Sequence, residues 1–312
     1  MNKFKRRKII LDCDPGHDDA VAIILAGKNP MFELLGITVA SGNQTLAKTG
    51  LNALNLVQYL KLDVPVCLGA SNPIIKEVEV CAAIHGESGL DGFEFPELTI
   101  GYDKRHAVNF IIESILTSKE KVTMITTGPL TNLALAIRME PKILNNIEEV
   151  VIMGGSYNNG NVTPAAEFNI FVDPEAAYIV FNSGAKVTMV GLDVTRKVLV
   201  LPEIVERMAK IGTDASDLFT KLMIVFNENQ KRVFGFEGAP LHDPVTVAYL
   251  IDPSLLEVNY VNCEIDISKG SSYGRTNCDM FNYLELPKNT YVATDINVEK
   301  FWDMIEDALK MY

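Results

Sequence analysis

Lys8-Ile9-Ile10-Leu11-Asp12-Cys13-Asp14-Pro15-Gly16-His17-Asp18-Asp19-Ala20 is the stretch on which the reading of this chain turns. An apolar run of strand length at 9–11 ends on Asp12 and passes through Pro15-Gly16 into a helix-like pattern of Val21, Ile24 and Leu25. The pattern predicts a strand, a tight turn and a helix start, with Asp12, Asp14, Asp18 and Asp19 at the carboxyl end of the strand. In open α/β sheets ligands bind at that end. Four carboxylates so close raise one another's pKa values unless a cation joins them. All-oxygen donors favour a hard ion, Ca²⁺ or Mg²⁺, over zinc. One or two acids would simply suit a helix N-terminus; four behind an apolar strand point to a metal site.

Working outward, apolar strand-like runs alternate with helical periodicity. Strands are expected at 33–40, 64–68, 122–127, 149–153 and 186–192. Helices are expected at 44–60, 103–117, 130–139 and 173–182, the last opened by Asp173 as N-cap and Pro174. A loop-like region covers 69–101. This alternation with short links predicts an α/β fold with a mostly parallel central sheet flanked by helices. The last third reads as helices at 202–211 and 214–230, an aromatic, glycine-containing lid loop at 232–240, and a helix from His242-Asp243-Pro244 to 250. Strands at 258–267 and 291–296 and a helix at 298–309 follow. With no repeat or linker, 1–312 reads as one domain.

Composition narrows the function. The 312 residues carry 28 basic and 40 acidic side chains, a net charge of −12, which argues against a nucleic-acid partner. No apolar run reaches membrane-spanning length, and the basic start at 1–8 is not followed by a signal-peptide core. Five scattered cysteines without a CxxC pair read as reduced thiols of a cytoplasmic protein. No P-loop, dinucleotide fingerprint or nucleophile elbow is present. Polar residues recur just after the strands: the aspartates, Asn43, Thr127-Gly128, then Asn161, Glu167 and Asn169, and later His242 and Asp243. Carboxylates with Asn and Glu partners suit several hydroxyls and a cation together, which suggests a sugar and a metal-activated water.

The blocks DCDPGHDDA (12–20), SGNQT (41–45), IHGESG (84–89), TTGPLTNLA (126–134), VIMGGSYNNGN (151–161), AEFNIFVDPEAA (166–177), VTMVGLDVT (187–195) and LHDPVTVAYLIDP (241–253) together resemble the inosine-uridine preferring nucleoside hydrolases. The resemblance runs from Lys8 to about Leu309 and implies that family's open, Rossmann-like fold. It implies hydrolysis of the N-glycosidic bond of ribonucleosides to ribose and free base, with a held Ca²⁺. Asp14, Asp19, Asp243 and the Thr127 carbonyl would be metal ligands, with ribose hydroxyls and a water completing an oxygen shell; Asp12 would be a supporting acid. Asp14 would be the general base, and direct attack by water would invert the anomeric carbon. Asp18, Asn43, Asn161, Glu167 and Asn169 would hold the sugar, with Met153 beneath it. His242 would be the general acid at the base, titrating in the right range, or would merely pack beside Asp243. His85 is a second candidate near the base or a loop stabiliser.

His17 stands where relatives carry an apolar residue and reads as a helix-surface or supporting side chain, and His106 as a structural mid-helix residue. Phe226, Phe234 and Phe236 either stack on the base or pack the core. Asn227, Gln230, Lys231 and Arg232 mark the variable region that would set base selectivity, and the glycines at 128, 154 and 155 read as turn formers. Relatives are homodimers or homotetramers, so a homo-oligomer is expected. Two alternatives stand beside this reading. One is a catalytically silent nucleoside- or ribose-binding protein on the same scaffold, against which every motif acid is retained. The other is a metal-dependent phosphohydrolase using Asp12 and Asp14, against which no later lysine-bearing phosphate site is found.

Overall fold

The computed structural model describes residues 6–312; Met1 to Lys5 of the basic start lie outside the described residues. The strands, in chain order, are β1 Arg7–Cys13, β2 Phe32–Val39, β3 Val66–Leu68, β4 Val122–Thr126, β5 Ile147–Met153, β6 Val187–Val190, β7 Leu199–Val200, β8 Ala239–Pro240, β9 Leu256–Val261, β10 Cys263–Ile265, β11 Thr276–Cys278 and β12 Thr290–Ile296. Eight of them form one sheet in the order β3-β2-β1-β4-β5-β6-β12-β9, parallel except where β9 runs against β12. The remaining strands make the small pairs β7–β8 and β10–β11. The expected α/β architecture, a mostly parallel sheet with helices packed on it, is what the chain adopts.

The sheet's two faces are set by the period-two alternation of β1. Ile9, Leu11 and Cys13 join one buried cluster, while Ile10 points into the other. The helix α1, His17–Gly27, is buried along all of its length but Gly27, since it is wedged against helices Pro244–Ile251, Asp214–Phe234 and Val298–Leu309. α2 is Leu46–Tyr59. A helix followed by β5 and then helix Pro174–Phe181 builds the other side, where Asp173 caps the latter by accepting from Ala176 N at 3.0 Å. The same carboxylate accepts from Thr131 Oγ1 at 2.6 Å and Ile74 N at 3.0 Å, so it joins three segments. Asp173→Ala is expected to lower stability by about 2 kcal/mol in urea titration, more than an isolated cap, because two further partners are orphaned.

Several boundaries differ from expectation, each for a local reason. The helix expected from 103 begins at Ala107, because His106 Nδ1 accepts from Val108 N and caps it; His106 is a cap and not mid-helical. Residues 103–105 instead close a turn in which Arg105 donates its backbone N–H and two guanidinium N–H groups to the Asp103 carboxylate. The loop at 69–101 contains a one-turn helix, α3 Ala82–His85. The helix expected to end at 230 continues to Phe234 and stops at Gly235, whose φ of 73° lies in the left-handed region, so the first three residues of the proposed lid are helical. The strand expected at 258–267 breaks at Asn262, and its second half leaves the main sheet to pair with β11. That pairing sets Cys263 and Cys278 opposite each other with sulfurs 3.4 Å apart, so these two thiols are neighbours and not scattered. Among the described residues no helix is long and apolar enough to cross a membrane.

Candidate active site

The sheet order reverses between β1 and β4, and their carboxyl ends open the crevice where open α/β sheets bind ligands. β1 delivers Asp14 and, through the Pro15-Gly16 turn, Asp18 and Asp19 on the first turn of α1. β2 is followed by Asn43, β4 by Thr127, and β5 ends on Met153. The short helix Phe168–Val172 adds Asn169, with Glu167 as its N-cap, and Asp243 is the N-cap of helix Pro244–Ile251.

These groups meet. Single oxygens of Asp18, Asp19 and Asp243, all buried, lie within 4.8 Å of one another. Asp19 Oδ2 accepts from Gly16 N (2.9 Å) and Asn43 Nδ2 (3.0 Å), and its Oδ1 from Thr127 Oγ1 (2.7 Å). Asp14 Oδ2 accepts from Asn43 N at 2.6 Å, while Asp14 Oδ1 and Asp18 Oδ1 are buried without a hydrogen-bond partner. Burial, then mutual repulsion, pushes the carboxyls of Asp14 and Asp243 well up from the ordinary range; burial likewise raises Asp18 and Asp19. Asp12 lies behind, accepting from Thr38 Oγ1 (2.6 Å) and Asn132 Nδ2 (2.9 Å), and burial lifts it to about 6. Gly42 and Gly128 serve more than turn geometry: a Cβ at either would collide with the Asp14 carboxylate.

Buried, mutually raised carboxyls with two partnerless oxygens are what a hard divalent cation would relieve, and the donor set, all oxygen, fits Ca²⁺. The residues available to hold it are Asp14, Asp18, Asp19 and Asp243, so Asp18, expected to serve the sugar, also stands among the ligand candidates. The Thr127 carbonyl accepts from Asn169 Nδ2 at 2.8 Å and keeps a second lone pair.

A cavity of about 290 Å³ opens above this cluster, and its wall includes Asp18, Asn43, Thr127, Met153, Asn161, Glu167, Asn169, His85, His242 and Asp243. Every residue expected to hold the sugar, with His85 and His242, is therefore on one surface. Of the residues expected to set base selectivity only Gln230 reaches it, since Asn227 binds Val200 O and Ala239 N and Arg232 binds Ala83 O and Asn229. The polar atoms of the sugar-side residues are partly engaged in building that surface. Glu167 accepts from Gly155 N, Asn169 N and Ile170 N, and Asn161 Oδ1 from Phe168 N. Asn169 Nδ2 also reaches the Met153 carbonyl at 3.1 Å. The geometry positions these side chains before any ligand arrives.

His242 shares a 2.7 Å hydrogen bond between Nδ1 and Thr195 Oγ1. Burial, with a smaller contribution from Arg196, pulls its imidazole down to about 3. The expectation that it titrates near neutrality is thus corrected: removal from water disfavours the imidazolium. Burial also holds His85 well below its usual range.

His17 is not on a helix surface. It is fully buried, its ring stacked on Phe226 with centroids 5.1 Å apart and on His85 at 5.6 Å. Phe226 is both core and cavity wall, whereas Phe234 and Phe236 lean together, 5.5 Å between centroids, at the mouth. Gln230, in the region expected to set base selectivity, is buried on the cavity wall with Oε1 unpartnered. Arg196, also on the wall, was not singled out from the sequence; it donates to the carbonyls of Asn159 and Gly160, ahead of Asn161. Its place just beyond β6 follows the same polar-after-strand signal that marked the others.

Comparison with known proteins bears on this site. The profile of the inosine-uridine preferring nucleoside hydrolase family matches residues 9–303. The chain is 46% identical over 309 residues to the pyrimidine-specific ribonucleoside hydrolase RihB of Escherichia coli (strain K12 / DH10B), covering 99% of both chains. Among solved structures it superposes on the purine-preferring ribonucleoside hydrolase from Gardnerella vaginalis with a TM-score of 0.91 at 34% identity, covering 98% of this chain and 100% of that one. A plant nucleoside hydrolase, PpNRh1, gives a TM-score of 0.92 at 28% identity over 98% of this chain and 99% of its own.

Proposed function

This chain belongs to the inosine-uridine preferring nucleoside hydrolase family, and we propose that it hydrolyses the N-glycosidic bond of pyrimidine ribonucleosides in a Ca²⁺-dependent reaction that inverts the anomeric carbon. The single observation that carries the reading is the pair of buried, partnerless oxygens, Asp14 Oδ1 and Asp18 Oδ1, in a carboxylate cluster of which Asp18 and Asp243 reach the cavity wall. Among the described residues no group satisfies these oxygens, so a cation and a substrate water are their natural partners.

Asp14, Asp18, Asp19 and Asp243 would hold the Ca²⁺, which would supply positive charge to acidify a nearby water. Asp14 is the proton acceptor: Oδ2 is pinned by Asn43 N, leaving Oδ1 free to take the proton of the attacking water. Asn43, whose Nδ2 donates to both the Asp14 carbonyl and the Asp19 carboxylate, and Asn161, Glu167 and Asn169 hold the ribose near its reactive geometry. Met153, with Sδ 3.5 Å from Asn169 Nδ2, lies beneath the ring that develops oxocarbenium character. On the far side His242 and His85 face the leaving base. Because His242 is neutral, it assists by donating an N–H hydrogen bond to the base in place of delivering a proton from an imidazolium. Gln230, whose amide is both donor and acceptor, reads the base edge; turned either way it matches the paired donor and acceptor of uracil or of cytosine.

The preference for pyrimidines is drawn from the identity to the RihB relative together with Gln230; the likeness to a purine-preferring structure makes it the first point to test. The experiment is ribose release from uridine, cytidine, inosine, adenosine and guanosine, with and without a chelator. Chelator-sensitive release, fastest from uridine and cytidine, is expected. Nucleoside binding without ribose would establish the silent binder instead, and faster purine cleavage would overturn the base assignment.

His242→Ala is expected to slow uridine hydrolysis about 10²-fold while changing p-nitrophenyl riboside hydrolysis little, since nitrophenolate leaves without a proton. Steady-state rates on the two substrates check it; equal losses would make His242 a positioning residue.

A further inference from the structure

His17 is the buried polar residue of the site that the proposed reaction leaves without a task. It opens α1, one residue before Asp18, and its backbone N–H belongs to the first helical turn, which has no intrahelical acceptor. Gly16 before it has no side chain with which to cap the helix. His85 takes that place, with its Nδ1 3.3 Å from His17 N.

The side chain of His17 also meets His85, with the two Nδ1 atoms 3.4 Å apart, and adds partners of its own. Its Nε2 lies 2.8 Å from the Asp91 carbonyl, which can only accept, so Nε2 carries the ring hydrogen. Asp91 also closes the loop that starts at His85, its carboxylate accepting from Glu87 N and Ser88 N at 3.0 Å each. His17 thus touches both ends of that loop, Asp91 by hydrogen bond and His85 by ring stacking, while Phe226 lies flat against it with an interplanar angle of 8°.

These constraints assign the His85 ring. Its Nδ1 lies 3.3 Å from His17 N and 3.4 Å from His17 Nδ1, and it cannot serve both, since the first needs a lone pair and the second a hydrogen. An orphaned buried N–H costs more than an acceptor left without a donor, so Nδ1 accepts from the backbone and the hydrogen of the neutral ring sits on Nε2. Among the described residues Nε2 has no hydrogen-bond partner, and His85 is on the cavity wall. Turning the ring over would replace Nδ1 by a carbon and orphan the buried His17 N–H.

Resting on the base-side role of His85 proposed above, we infer that His17 is a positioning residue. It clamps the His85 loop so that Nδ1 faces the start of α1 and Nε2–H faces the cavity as a donor to an acceptor atom of the leaving base. His17 itself does not touch the substrate.

The test is a double-mutant cycle of His17→Phe, which keeps the stack on Phe226, and His85→Gln. Uridine and p-nitrophenyl riboside are the substrates, and calcium content and Tm are measured for every variant. His85→Gln is expected to slow uridine about 10²-fold and the nitrophenyl substrate little. His17→Phe is expected to slow uridine about 10-fold in kcat with a smaller change in KM, and to cost nothing further in the His85→Gln background. His17→Gln, which can still donate to the Asp91 carbonyl, recovers part of the loss and covers the case in which His17→Phe does not fold. Equal losses on both substrates, or losses that multiply in the double variant, would overturn the inference while leaving His85 in place. If His85→Gln alone leaves uridine hydrolysis intact, the base-side reading falls first and the inference with it.

Discussion

Asp14→Asn is expected to reduce ribose release from uridine by at least about 10³-fold while the protein stays folded. The amide is the same size, which matters because Gly42 and Gly128 leave the Asp14 carboxylate no spare room. Its oxygen can still accept from Asn43 N, so the loop is held. What is lost is the carboxylate proposed to take a proton from water through its partnerless Oδ1. General base catalysis contributes about 10²–10⁴-fold, and loss of charge at the proposed metal floor adds to that. The measurement is kcat by reducing-sugar assay alongside near-UV circular dichroism. Near-normal turnover in a folded variant would remove Asp14 from the reaction.

Asp243→Ala is expected to lower calcium affinity by at least about 100-fold, since loss of even an outer supporting partner costs about 10–100-fold at metal sites. Isothermal titration with Ca²⁺ and metal analysis of the purified variant read this directly, and full occupancy would refute the ligand assignment. The same carboxylates make a linked prediction for the chelated wild-type protein. A carboxyl whose folded value is raised contributes stability at low pH that is lost as pH climbs through that value. For Asp12 that value is about 6, against 3.8 unperturbed, and Asp14, Asp18, Asp19 and Asp243 shift in the same direction. Because the buried histidines shift the opposite way over the same range, the comparison is made with and without the ion: the Tm gained on adding Ca²⁺ to the chelated protein should grow as pH climbs from about 4 through 6.

The site was legible because parallel sheets gather the residues that follow each strand. Asp14, Asn43, Thr127, Asn161, Glu167 and Asn169 were each recognisable as polar residues placed just after apolar runs, and Asp243 as the opening of a later helix; the sheet order gathers the strand ends, and all of these but Asp14 line one cavity. Residues whose roles come from packing across the chain were not. His17 read as either a helix-surface or a supporting residue, and nothing local chose between the two. Only the arrival of Phe226, His85 and Asp91 from distant segments makes it core. His242 looked able to titrate because an imidazole in water does, and nothing local in His242-Asp243-Pro244 announces that it is removed from solvent.

Similar limits governed the elements. The helix ending at 234 ran past its expected stop because Gly235, not the polar cluster before it, supplies the left-handed turn. The strand at 258–267 was continuous in hydrophobic pattern, yet β12 pairs with its first half and β11 with its second. What the sequence determined alone was the alternation of strands and helices, the acid-rich floor and the family. These depend on periodicity, charge density and ordered motifs along the chain. What tertiary structure decided was protonation, orientation and which polar atoms remain unpaired, because each depends on burial and on partners tens of residues away.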